Sequence, residues 1–247
     1  IIIYSTLLKN LWMYKVIIIV PCYNVKDQIL KVIKKINLKD IYKILIVDDF
    51  CPQKSGSFVE KKIKNKKIKV IYAKKNLGVG GAFKLGLNHA KKYKPNQVIK
   101  IDGDGQHDPK LIRKFINLQK KYPNRMIKGR REMSFFKTKI PLKRFIGNNI
   151  ITFIIRFITK NSQLNDVVNG FISLPNNIIS KINFKSISSD FFFEQDLLIY
   201  VSKKKFVINE IFISTKYFDQ KSNLSEIKVI IPFLKRYLLI IFGFYNF

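Results

Sequence analysis

Acids are scarce in this chain: 16 Asp and Glu stand against 47 Lys and Arg among 247 residues, a formal charge of +31. Cysteine is scarcer still. Cys22 and Cys51 form no C-x-x-C pair and follow no secretory apolar segment, which argues against a zinc site or a disulfide scaffold and makes a reduced, cytosolic setting the default. Long apolar runs are missing too. None approaches the roughly 20 residues of a spanning helix, and the nearest, YLLIIFGFYNF, is short and preceded by Lys235 and Arg236. Arginine supplies only seven of the basic residues. A nucleic-acid stripe would concentrate Lys and Arg on one element and favour Arg for its forked donors, whereas these lysines are scattered. Ile, Lys, Asn, Phe and Tyr are abundant together, as in drift toward A/T-rich codons. Most of the charge therefore reads as solvated surface that also suits an anionic membrane face, with no nucleic-acid partner.

What is present is enough apolar content, 47%, to bury the core of one α/β domain. Residues 1–14 read as a leader or disordered segment, since Met13 stands directly before the first convincing strand. Apolar runs and helical patterns then alternate: strand Val16 to Val20, helix Val25 to Ile36, strand Ile44 to Val47, strand Ile68 to Tyr72, helix Val79 to Lys92, strand Gln97 to Ile101. This predicts βαβ units on a parallel sheet, with ligands at the carboxyl ends of the strands. Farther on, the pattern predicts a helix from Pro109 to Lys120 and a strand from Met126 to Gly129. An amphipathic helix Leu142 to Thr159 follows, then a strand Val167 to Leu174 and helices Pro175 to Ile182 and Phe191 to Val201. The last two elements are a strand Phe206 to Ile213 and a helix from Ser225 kinked at Pro232.

Distinctive segments close the strands. KIDGDGQHDP follows the fourth: Asp102 and Asp104, two apart on an extended backbone, share a face and can meet one hard cation. A plain Asp/Gly turn explains the same residues equally well. An EF-hand does not, because Gln106, His107 and Arg113 occupy positions that need other residues. Asp108-Pro109 reads as an N-cap with Pro at the first helical position, and His107 as a packing or hydrogen-bonding residue. PCYN after the first strand replaces the Gly-rich turn of a dinucleotide fold. NLGVGGAFKLG after the third, with Gly78 at its head, is either a tight turn with close helix packing or a nucleotide contact. Asp48 and Asp49, ending the second, hold a ribose or base edge or cap the next helix.

Taken in order, VIIIVPCYN, ILIVDD, NLGVGGA and KIDGDGQHDP resemble the family 2 glycosyltransferases of the GT-A fold, especially the branch with polyprenyl-phosphate (dolichol-phosphate) sugar synthases. Lys128-Gly129-Arg130, the helix in IPLKRFIGNNIITFIIRFIT, DVVNGF, DFFFEQDLL and KYFDQKSNLS continue the likeness, the last as in polysaccharide and O-antigen sugar transferases. The resemblance spans about Lys15 to Arg236. Two departures stand out. Val25 replaces the acid of P-x-Y-N-E, and Phe50-Cys51 replaces the small residues of D-D-G-S.

The resemblance implies an α/β GT-A domain over residues 15–224, a mostly parallel Rossmann-like sheet flanked by helices, with an amphipathic, membrane-associated helix at 225–247. It implies a nucleotide-diphosphate sugar donor bound by Pro21, Tyr23, Asn24, Asp48, Asp49, Gly78, Asp102 and Gly103. Mg2+ or Mn2+ would sit on Asp102, Asp104 and Gln106, with Arg130 beside Asp104 to stabilise the leaving diphosphate. Glu194 and Asp196 are the candidate acceptor bases. Being two apart on a helix they do not share a face, so only one is expected to reach the acceptor. Asn169, Gly170, Lys216 and Lys221 fall on the acceptor side, for a polyprenyl-phosphate, lipid-linked or glycan acceptor. The implied setting is the inner face of the cytoplasmic membrane, with inverting transfer in cell-surface polysaccharide or glycolipid synthesis. A basic nucleic-acid-binding protein and a decayed transferase that only binds nucleotide are the rival expectations.

Overall fold

The computed structural model describes residues 14–132, 142–213 and 226–244. Its elements in chain order are β1 (Val16–Cys22), α1 (Lys26–Lys35), β2 (Lys43–Asp48), α2 (Ser55–Lys62), β3 (Ile68–Tyr72), α3 (Gly78–Lys91), β4 (Gln97–Lys100) and α4 (Ile112–Lys121). They continue as β5 (Met126–Arg130), α5 (Leu142–Thr159), β6 (Ile172–Pro175), α6 (Asn176–Ile179), α7 (Phe193–Lys203), β7 (Ile208–Phe212) and α8 (Glu226–Ile241).

All seven residues of β1 are buried, because a parallel strand covered on both faces has no solvent side to alternate with. Val16, Ile18 and Val20 enter a core with α1 and α4, while Ile17 and Ile19 enter a second core with α3 and α7. The seven strands run in the order β3-β2-β1-β4-β6-β5-β7. β3, β2, β1 and β4 are parallel, and β6 runs antiparallel to both of its neighbours, β4 and β5. The strand order reverses between β1 and β4, the switch point at which open α/β sheets form a crevice beyond their carboxyl ends. PCYN and DGDGQHDP lie on its two sides.

Several expected elements shift. The strand expected from Val167 to Leu174 shortens to β6, because residues 165–171 are held in turns by side chains: Asn169 Oδ1 accepts the Phe171 N–H at 2.9 Å, and Glu210 accepts the Asn165 N–H at 3.0 Å. Helix Pro175 to Ile182 shrinks to α6, with the Asn183-capped turn Phe184–Ser186 following. Asp108 does cap: its side chain accepts the Lys110 N–H at 3.0 Å and opens a 3-10 turn, Pro109–Leu111, leading into α4. α8 runs through Pro232. Tyr14, expected in the leader, packs against the core on the α1 side. The rest of that leader lies outside the described residues.

Candidate active site

Lys100, the last residue of β4, is fully buried, and its ammonium is the hub of the switch-point edge. It donates to Asp102 Oδ1 at 2.6 Å and to the Gly170 carbonyl at 3.3 Å, and it lies 3.2 Å from Glu194 Oε1. Three protons meet three acceptors, so the group is saturated. Burial alone would lower the ammonium, but Asp102 and Glu194 reverse that and hold it above the ordinary lysine value. Burial would likewise raise Asp102, yet Lys100 and then His107 bring it below the usual carboxylate range. Glu194 stays raised by burial, with Lys100 pulling the other way. Gly170 has no room for a side chain: a Cβ there would stand 2.5 Å from Lys100 Nζ and 2.9 Å from Asp102 Oδ2.

Asp104 lies beyond Gly103, half-buried, with Oδ1 accepting the Gln106 N–H at 2.9 Å. Its carboxyl is pushed up to about 6 by burial and by the Asp102 charge. His107 is buried against Phe171, with ring centroids 5.3 Å apart, and burial holds it down to about 4, so it is neutral at pH 7. Its Nδ1 lies 3.9 Å from Asp102 Oδ2. Among the described residues no three His, Cys, Asp or Glu side chains converge as a metal cage. Two carboxylates are hard oxygen donors of the kind a magnesium- or manganese-type ion takes, and a cation beside Asp104 would offset the burial and the Asp102 charge that raise it.

The residues expected to bind a donor are drawn together, in part by structural bonds. Asp48 spends both oxygens on backbone, accepting the Cys51 N–H at 2.8 Å and the Gly56 N–H at 2.7 Å, which anchors the start of α2. Asp49 accepts the Leu77 N–H at 2.7 Å and so ties the second strand end to the third. Cys51 Sγ accepts the Asn24 N–H at 3.1 Å, joining PCYN to that same loop. Tyr23 and Phe50 stand exposed above these bonds, and Pro21 is buried, its carbonyl 3.3 Å from where a Gly103 Cβ would lie. Gly78 has φ +76°, and a Cβ there would meet the Ser189 carbonyl at 2.8 Å. Gly80 would likewise meet Phe193 at 2.6 Å, so the Gly-rich segment seats α3 closely on the lead-in to α7.

On the other side, Asp166 accepts three bonds from Arg131, including 2.7 Å from Nε and 2.8 Å from Nη2. Asn169 is buried, and its Nδ2 has no partner. Lys128 is also fully buried, 3.8 Å from Glu210, and burial lowers it against the pull of Asp166 and Glu210. Arg130 is half-buried at the end of β5. The α7 carboxylates part, as their spacing requires: Glu194 reaches the Lys100 hub, whereas Asp196 turns to the Ser188 N–H at 2.7 Å and to Arg236 of α8, whose Nε donates at 3.0 Å. Lys216 and Lys221 lie outside the described residues. Sequence reasoning missed Lys100, Lys128 and the Arg131–Asp166 pair. The signal for Lys100 was one lysine closing an otherwise buried strand two residues before the acids.

The model of the glycosyl transferase family 2 matches residues 17–182. An uncharacterized protein of Methanocaldococcus jannaschii is 31% identical over 146 residues, 57% of this chain and 58% of that protein, so the match spans under two thirds of that relative. The UDP-N-acetylglucosamine--dolichyl-phosphate N-acetylglucosaminyltransferase of Methanococcus voltae is 27% identical over 218 residues, 81% of this chain and 85% of that enzyme. Among solved structures, glucosyl-3-phosphoglycerate synthase from Mycobacterium tuberculosis with UDP superposes with a TM-score of 0.68 at 12% identity, over 91% of this chain and 80% of that one. Its complex with Mn2+ and UDP-glucose gives 0.68 at 13% identity, over 95% and 81%. The sheet order and these matches agree: the chain belongs to glycosyl transferase family 2 and is a glycosyltransferase of the GT-A fold.

Proposed function

We propose that the protein transfers a sugar, with inversion, from a nucleotide-diphosphate sugar to a polyprenyl-phosphate or other lipid-linked acceptor, using a divalent metal ion, in the synthesis of a cell-surface glycan or glycolipid. The observation that carries this reading is the Lys100 hub, which brings Asp102 and Glu194 to one ammonium at the switch point. The names of the relatives support its two halves: one uses a dolichyl-phosphate acceptor, and the solved neighbour was captured with Mn2+ and UDP-glucose.

Asp102 and Asp104 would hold the metal, assisted by Gln106, and the ion would supply charge neutralisation for the departing diphosphate. Arg130, at the end of β5, would add positive charge for the same purpose. Pro21, Tyr23, Asn24 and Asp49 frame the base and ribose, while Gly78 lets α3 seat closely beside them and Asp48 acts through the loop it anchors. Asn169 and Gly170 frame the acceptor, and Lys216 and Lys221 would bind its phosphate. A lipid phosphate is largely anionic at neutral pH, its second pKa being about 6, and needs no base. For a hydroxyl acceptor, Glu194 is the base, because burial already raises its proton affinity. The test is transfer of radiolabelled sugar from UDP-, GDP- and dTDP-sugars to a polyprenyl phosphate with Mn2+ or Mg2+. Metal-dependent formation of a lipid-extractable product supports the reading; product only on a non-lipid acceptor, or with no metal requirement, contradicts it.

A further inference from the structure

Five large apolar side chains of α5 stand in solvent: Leu142, Ile146, Ile150, Phe153 and Phe157, the two phenylalanines 71% and 65% exposed. At 3.6 residues per turn they fall within an arc of about 80° and extend about 22 Å along the helix. The opposite face is spent on the core through Asn148, Thr152 and Ile155. α5 packs against both α7 and α8, and α8 adds a second exposed apolar face with Leu238, Leu239 and Phe242, continued by Phe244. Exposed apolar faces on two helices that pack together mark an interaction site.

The charges choose the occupant. α5 contains no acid, and the one acid of α8 is Glu226 at its first position. Exposed Lys160 follows α5, and exposed Lys235 lies on the same side of α8 as Leu238, Leu239 and Phe242. A second copy would bring +31 against +31 with like-charged borders, whereas an anionic lipid surface complements both the apolar arc and its basic edges. We infer that α5 and the C-terminal half of α8 form a monolayer-inserting face that holds the enzyme on anionic membranes. The face is coupled to the crevice. Arg236 of α8 binds Asp196 of α7, Phe233 of α8 packs on Phe192 at 4.3 Å between centroids, and α7 carries Glu194 to the Lys100 hub. An acceptor embedded in that monolayer would meet the crevice from its acceptor side.

The full chain is sedimented with phosphatidylcholine vesicles with and without phosphatidylglycerol, alongside Phe153→Ser/Phe157→Ser and Lys160→Glu/Lys235→Glu. The parent should bind the anionic vesicles, less so at high salt. The apolar double variant should lose roughly tenfold or more of that affinity, and the charge variant should lose the preference for anionic lipid. All the substituted side chains are exposed, and an unchanged thermal melt together with unchanged nucleotide-sugar binding without vesicles shows that fold and crevice are intact. Equal vesicle binding by the parent and the apolar variant overturns the inference. So does a parent that ignores anionic vesicles, or one that is a dimer which the apolar substitutions dissociate. The inference goes beyond the proposed reaction, and donor binding in solution reports on that reaction separately, so either can fail alone.

Discussion

Lys100 is a cation whose removal leaves two carboxylates facing each other across a gap that Gly170 keeps free of side chains. Breaking a buried ion pair by deleting one partner costs about 3–5 kcal/mol. Lys100→Met should fall in that range by denaturant unfolding, and Lys100→Met/Glu194→Gln should regain part of the loss because one unpaired charge is gone. Strictly additive losses would mean that the two side chains act independently. Asp104 sets the pH response. Its carboxyl, at about 6 in the free protein, must lose its proton to bind a metal. Metal-supported donor affinity, measured by titration calorimetry, should therefore be level above pH 6 and fall about tenfold per pH unit below it. Stability runs the opposite way with pH: a carboxyl raised by folding favours the folded state at low pH, and that contribution is lost as pH climbs from the ordinary carboxylate value toward 6. The acids were legible in KIDGDGQHDP as a spacing. Their partner was marked only by its place at the end of an apolar strand two residues upstream, because its burial depends on a distant carboxylate on α7 that pairs with it.

α7 divides its labour by helical geometry. Residues two apart point in different directions, and here one carboxylate faces the crevice and the other clasps α8. Asp196→Ala should release α8 and destabilise the chain, toward the lower end of the roughly 3–5 kcal/mol for a broken buried pair because Arg236 is partly exposed. Glu194→Gln should leave the melt closer to the parent while removing transfer to a hydroxyl acceptor. The reverse pattern, with Asp196→Ala stable and inactive, would contradict this division. The sequence predicted that the pair would split but not which member would reach the site. NLGVGGAFKLG had two readings, and the contacts of Gly78 and Gly80 with residues 189 and 193 favour close packing. That choice depends on a segment about a hundred residues away. Val167 to Leu174 looked like a strand because it is mostly apolar, yet the Asn169 side chain accepts the Phe171 N–H and takes the first half out of the sheet.

The alternation of apolar runs and helices carried the first half of the molecule almost intact from sequence to sheet, since consecutive βαβ units depend on local pattern and one crossover sense. The later half did not transfer as well. The antiparallel insertion of β6 between β4 and β5 is a long-range pairing with no local signature. The charge of +31 excluded little by itself; the structure gives it meaning by placing several of its few acids, among them Asp48, Asp102, Glu194 and Glu210, at the ends of strands or beside buried lysines. The central claim is that Asp102 and Asp104 bind the donor through a divalent ion, and the most direct measurement is calorimetric titration of UDP-glucose into the full chain with Mn2+, with EDTA, and with Asp104→Asn. Binding that needs Mn2+ and is lost in Asp104→Asn, while the variant melts as the parent does, is the predicted result. Donor binding of equal affinity in EDTA and in the variant would contradict it.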